Sequence, residues 1–322
     1  MNIKKIIFVK FFFVFVGLCT GALAQDVFPG KPIRVVVPYP PGASTDGLAR
    51  AFAQELAKEI KVNVIVENKP GGGTTIGALA VRNAPADGYT LLFQVDGLYN
   101  GKLASPSVGY EMSDFEILSP LGQTPYALVV PSKINVNNLE EYKAYAESKK
   151  GELTFGVLGN GVTSYSILSN NLSKALNVTP RLIPYKGGVE GVVAAMSGEI
   201  DGYFATVSLS YAQKDNPKIK LLGISSDSGK NRFLPNVKSF EDLGIKNMNL
   251  KSLYGVAVRS STPTNIKVKL SKSIANVIET DDMKKARNTI SLEEYPGSLT
   301  AYKAEVARNL QMYESASMAD SK

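Results

Sequence analysis

Residues 35–50 read Val-Val-Val-Pro-Tyr-Pro-Pro-Gly-Ala-Ser-Thr-Asp-Gly-Leu-Ala-Arg, and no other stretch constrains the fold as strongly. Val35 to Val37 form a short β-branched run with no polar face, the pattern of a strand covered on both sides. Pro38, Pro40 and Pro41 end it, because proline lacks the N–H that a sheet ladder requires. Gly42 permits a tight turn, and Ser44, Thr45 and Asp46 are each good helix N-caps. Leu48, Phe52, Leu56 and Ile60 recur every fourth residue, which predicts a helix with one apolar stripe. The unit is strand, Pro/Gly loop, helix. Such a helix start attracts anions through unpaired N–H groups and the helix dipole. On these residues alone, an ordinary βα turn with a capped helix is the simpler reading.

The same unit recurs. Leu153 to Leu158 predicts a strand, Gly159-Asn160-Gly161 a loop, and Val162-Thr163-Ser164 the start of a helix with Ile167, Leu168, Leu172 and Leu176 on its apolar side. Between the two units, strands are expected at Val62–Val66, Tyr89–Gln94 and Tyr126–Val130, and residues 95–120 read as irregular and polar. Asn137 or Asn138 caps a helix that ends before Gly151. Later strands are expected at Arg181–Pro184, Ile200–Ala205, Leu221–Ser225 and Leu253–Val258. Further helices run from Gly188 to Met196, from Pro263 after a Thr262 cap, and from Leu299 to about Ala316. Strands alternating with helices predict an α/β fold with mostly parallel sheets. A ligand between two lobes would meet both helix starts at the carboxyl edges of the strands.

Several functions are excluded or disfavoured. The 322-residue chain has no histidine and one cysteine, Cys19. A Ser-His-Asp triad, a Cys-His pair and the usual zinc ligand sets are therefore absent, and neither metal nor cofactor is expected. The glycine-rich loop Gly71-Gly72-Gly73-Thr74-Thr75 lacks a following Lys-Ser/Thr, and Ile76 stands where a dinucleotide fingerprint needs its third glycine. Thr74 or Thr75 can cap the helix that follows it.

The amino terminus reads as an export signal. Lys4 and Lys5 precede an apolar run from Ile6 to Leu18, broken only by Lys10, and Ala22-Leu23-Ala24 is an A-x-A cleavage site. Cleavage makes residues 1–24 a signal peptide and Gln25 the mature start. Leu18 is not the small residue a lipobox needs before Cys19, so soluble export to the periplasm is expected over lipidation. Loss of Lys4, Lys5 and Lys10 lowers the net charge from +7 to +4. That suits an anionic small molecule and falls short of a nucleic-acid footprint.

Phe28-Pro29-Gly30-Lys31-Pro32, the Val37-to-Asp46 loop, Val66-Glu67-Asn68-Lys69-Pro70-Gly71 and Ala84-Pro85-Ala86-Asp87-Gly88-Tyr89 resemble the tripartite tricarboxylate transporter receptors, or Bug-type solute-binding proteins. Gly151-Glu152-Leu153-Thr154-Phe155-Gly156, Pro184-Tyr185-Lys186-Gly187-Gly188 and Ser197-Gly198-Glu199-Ile200-Asp201 fit as well, so the resemblance spans the mature chain. It implies a two-lobed, type II periplasmic binding-protein fold, each lobe a mostly parallel sheet flanked by helices. Lobe 1 would comprise residues 25–125 and 254–322, and lobe 2 residues 126–253. The implied function is a monomeric receptor, not an enzyme, that captures a small carboxylate and delivers it to membrane transporter subunits. Signalling to a membrane sensor is the alternative, and an enzyme acting on a small organic acid fits less well.

Carried over, the resemblance places the ligand against Tyr39, Gly42, Ala43, Ser44, Thr45, Asp46 and Thr75 of lobe 1. On lobe 2 it implies Gly159, Asn160, Gly161, Thr163, Ser164 and the strand end Phe204, Ala205 and Thr206. Asp46 either caps its helix or selects a ligand with an amino or hydroxyl group, and capping is the simpler role. The chain departs from the family at Ala43, Thr75 and Tyr165, and lacks the usual tryptophan near Tyr254. These departures bear on ligand choice and not on the fold.

Overall fold

A computed structural model describes residues 28–94, 98, 101–102, 107–159, 162–227, 229 and 231–320. The expected signal segment, with the expected Ala24–Gln25 cleavage site and Cys19, lies outside them, as do Asn160 and Gly161. Strand β1 (Ile33–Val37) lies between β2 (Val64–Asn68) and β3 (Thr90–Gln94), parallel to both. Helix α1 (Ser44–Ile60) leads from β1 to β2, and α2 (Thr75–Arg82) from β2 towards β3.

Two long strands continue the sheet. β9 (Lys251–Arg259) runs antiparallel to β3 on one side and to β4 (Phe115–Pro131) on the other. Only the second half of β4 is expected from the sequence, because Pro120, Gly122 and Pro125 interrupt the first half. The register against β9 shifts between Ile117 and Ser119 and between Pro120 and Gly122. Such irregularities let a ladder carry proline and glycine.

β4 changes partner along its length. Phe115 to Pro125 pair with β9, whereas Tyr126 to Val129 pair with β7 (Gly202–Thr206). β8 (Ile219–Ile224) also pairs with the second half of β4. Beyond β7 lie β5 (Thr154–Leu158) and β6 (Arg181–Tyr185), the three strands parallel. The order is β2-β1-β3-β9-β4-β7-β5-β6, so two parallel triplets are joined through two antiparallel strands. Helices α3 (Leu139–Ser148), α4 (Ser164–Leu176), α5 (Gly188–Ser197) and α6 (Val207–Ala212) belong to the second triplet. α7 (Thr264–Ile278), α8 (Asp281–Thr289) and α9 (Leu299–Asp320) follow β9.

Each triplet has its own core. Leu48, Phe52 and Leu56 of α1 pack with Val35, Val37, Leu91 and Phe93 of the sheet and with Leu270, Ile274 and Val277 of α7. In the second half Tyr142, Phe155, Leu168, Leu172, Phe204 and Phe240 are buried together. Asp201 locks β7 to β5. It accepts from the Thr154 N–H and hydroxyl, both at 2.9 Å, and from the Tyr145 hydroxyl. Burial pushes its carboxyl up, but the bonds from Tyr145 and Thr154 outweigh burial and hold it below the ordinary 3.8.

Capping follows expectation in places. The Asn138 side chain accepts from the Glu141 N–H at 2.8 Å. At α7 the expected Thr262 cap is replaced by Pro263, and the buried Thr262 hydroxyl has no partner among the described residues.

Candidate functional site

The β1–α1 loop is held from beneath by one carboxylate. Ala43 occupies the N-cap position of α1 without a side-chain bond, so Ser44, Thr45 and Asp46 are the first three helical residues and not caps. Gly42 adopts φ +83°, in the region that favours glycine. This turn aims the Gly42 N–H back at the Asp46 carboxylate, 2.9 Å away. Asp46 is 3% exposed and also accepts from Arg50 Nε at 3.0 Å and Asn68 Nδ2 at 2.9 Å. Asn68, the last residue of β2, donates in addition to the Tyr39 carbonyl at 3.0 Å. Burial raises the Asp46 carboxyl, but the bonds from Arg50, Gly42 and Asn68 prevail and hold it below 3.8. The anion is thus neutralised within the protein, which removes the conflict between Asp46 and a bound anion. Ser44 is exposed at the helix start.

Asn68 and Arg50 are the residues that sequence reasoning missed. Their signal was present: Asn68 ends the Val66-Glu67-Asn68 motif, and Arg50 lies four residues after Asp46, on the same helical face.

The second glycine-rich loop is unusual in its backbone. Gly71, Gly72, Gly73 and Thr74 all have positive φ. Thr74 at +82° is a β-branched residue in a region it rarely occupies, which concentrates strain at the start of α2. Thr74 stands at the N-cap position without a side-chain bond, and its buried hydroxyl has no partner among the described residues. Thr75 is half-buried beside it.

The β5–α4 loop repeats the β1–α1 design with different fastenings. Gly159 adopts φ +63°, and its N–H donates to the Tyr185 carbonyl of β6 at 2.8 Å. Thr163 is the N-cap of α4 and forms a capping box with Ser166. The Ser164 hydroxyl is buried and hydrogen-bonded to the Tyr313 hydroxyl on α9. Asn160 and Gly161 lie outside the described residues.

The β7 end separates by face. Thr206 is half-buried at the strand terminus, while Phe204 and Ala205 are fully buried. The Phe204 ring stacks on Phe155 with centroids 6.2 Å apart and meets Phe240 at 5.9 Å. Successive strand residues point to opposite faces, and neither face carries Phe204 or Ala205 to the surface. Phe204 and Ala205 are packed in the core, and of the three residues Thr206 alone reaches the surface.

The comparisons with known proteins identify the family. The model of the tripartite tricarboxylate transporter family receptor matches residues 48–312. The chain belongs to the tripartite tricarboxylate transporter receptor family. A relative, the UPF0065 protein in the tcbD-tcbE intergenic region of a Pseudomonas species, is 29% identical over 87% of this chain and 83% of its own. A TctC solute binding protein from Polaromonas has a similar structure, with TM-score 0.77 and 26% identity over 90% of this chain and 98% of that one. An R. palustris protein solved with adipate shares the fold at TM-score 0.75 and 23% identity, covering 90% of this chain and 98% of its own. The architecture of this receptor family is the two-lobed binding-protein fold, and its members serve as solute receptors. Among the described residues no helix is long and apolar enough to cross a membrane.

Proposed function

We propose that this receptor is exported to the periplasm and closes its two lobes on a small carboxylate, which it hands to membrane transporter subunits. The observation that carries the reading is the recurrence of one unit in both parallel triplets. A strand, a loop glycine at positive φ and a helix start follow one another at Val37–Ser44 and again at Leu158–Ser164. The partner change of β4 after Pro125 supports a lobe 2 that begins at Tyr126. Lobe 1 then holds residues 25–125 and 254–322, and lobe 2 residues 126–253.

In this reading the carboxylate takes donors from Ser44 to Asp46 on one side and from Gly161 to Ser164 on the other. Each helix start contributes about 0.3–1 kcal/mol when exposed and up to ~2 when partly buried. Each hydrogen bond to the charged group adds roughly 1.5–3 kcal/mol. A micromolar complex needs about 8 kcal/mol, so two or three donors per lobe suffice after ordering costs. That a protein of the same fold holds adipate favours a carboxylate.

A thermal-shift and calorimetry panel of mono-, di- and tricarboxylates, adipate among them, tests the reading. The matching acid should raise the melting midpoint, since ligand at 100 times its Kd stabilises the folded state by about 2.7 kcal/mol. Ser44→Ala should leave the unliganded midpoint in place, because this side chain caps nothing, and should weaken binding about tenfold. A panel in which no acid moves the midpoint, or a Ser44→Ala protein that binds as the parent does, overturns the site.

Export has its own check. Intact-mass measurement of the secreted protein should give a chain starting at Gln25. A diacylated chain starting at Cys19 would make it a lipoprotein instead.

A further inference from the structure

The carboxy-terminal helix touches both halves of the sheet. Lys303 of α9 pairs with Glu116 on β4, and Asn309 Nδ2 donates to the Lys251 carbonyl on β9 at 3.1 Å. Tyr302 packs against Gly255 of β9 so closely that its hydroxyl is 2.7 Å from where a Cβ would sit. About three turns further along the helix, the fully buried Tyr313 reaches the start of α4, where its hydroxyl and that of Ser164 share a hydrogen bond.

The neighbouring residue of α4 is fastened to the other crossing segment. The Tyr165 ring meets Tyr126 edge-on at 5.3 Å, and Tyr126 is the residue at which β4 changes partner. The Tyr126 N–H donates to Ser225 Oγ at 2.8 Å, and the Ser225 hydroxyl donates to the Leu250 carbonyl, directly before β9, at 2.6 Å. One turn of helix, Ser164 and Tyr165, is therefore clamped to β4, to the approach to β9 and to the helix that lies across both strands.

We infer that Tyr313 is a positioning residue of the solute site. Its phenol holds the first turn of α4 in the orientation that presents main-chain N–H groups to the solute, and α9 registers that orientation against β4 and β9. The inference rests on the receptor function proposed above. It also reassigns Ser164: its hydroxyl serves the clamp, through a residue 149 positions away in the chain.

Tyr313→Phe tests this, since it removes the hydroxyl and keeps the ring. Amide exchange at residues 163–168 of the unliganded protein should become about fivefold faster, with the amides of β1 to β3 unchanged. Adipate, or whichever acid of the panel raises the parent's midpoint, should bind about tenfold more weakly. The double variant Ser164→Ala, Tyr313→Phe leaves neither hydroxyl buried without its partner. It should regain stability yet keep the fast exchange and the weak binding. Unchanged exchange in that turn, or parental affinity alongside a lowered midpoint, makes the pair a packing contact only and overturns the assignment. If no acid binds the parent, the receptor reading fails separately, and the exchange measurement still decides whether Tyr313 holds the helix.

Discussion

Phe204→Ala will lower the stability of the protein by about 3–5 kcal/mol, the cost of truncating a buried aromatic whose cavity cannot fully collapse. Phe204 is fully buried between Phe155 and Phe240, and Tyr142 adds a further ring edge-on to Phe155 at 6.4 Å. The backbone around the cluster is part of a ladder, Phe204 opposite Leu128, so it has little freedom to close the void. Urea denaturation reads the loss as a lower midpoint with an unchanged slope. A ligand-lining Phe204 gives the opposite pattern, parental stability with weakened solute binding. That pattern would place the residue in the cleft.

The second large effect belongs to Asp46. Asp46→Ala leaves the Gly42 N–H, Arg50 Nε and Asn68 Nδ2 without their acceptor. Removing one partner of a buried ion pair costs roughly 3–5 kcal/mol. Arg50 is 55% exposed and can turn to water, so the expected loss is nearer 2 kcal/mol. Because the same carboxylate shapes the Tyr39–Ser44 loop, solute affinity should fall with stability. Acid titration separates the charge from the shape. The folded-state carboxyl lies below its ordinary 3.8, so its stabilisation is present above that value and is lost as pH falls below it. Asp46→Asn should therefore be less stable than the parent at pH 7 and lose less on acidification from pH 5 to about pH 3. Parallel stability curves for the two proteins in that range would show that the charge of Asp46 contributes nothing.

Much of the fold was legible because its signals are local. The Leu48, Phe52, Leu56 stripe, the proline stop after Val37 and the Asn138 cap each act within a few residues, and each element formed where those signals stood. The first half of β4 was not legible, since Pro120 and Gly122 argue against a strand when nothing indicates a bulge to absorb them. α8 was missed because Asp281–Thr289 carries few apolar residues, Met283 and Ala286, although Thr280 caps it through the Met283 N–H at 3.3 Å and two acids follow.

The candidate site divides in the same way. By itself the amino-acid sequence determined the two strand–loop–helix units, the glycines that turn them, and the absence of histidine chemistry. Tertiary structure decided what several polar side chains in those units do. Asp46 faces inward because Asn68 and Arg50 meet it there, and Ser164 because Tyr313 does. Phe204 packs in the core because Phe155 and Phe240 sandwich it. Hydroxyls, carboxylates and rings satisfy themselves with the nearest complementary group. At Ser164 and Phe204 that group comes from another strand or helix, up to 149 residues away, so no local pattern announces it, whereas Asp46 draws Arg50 from its own helix.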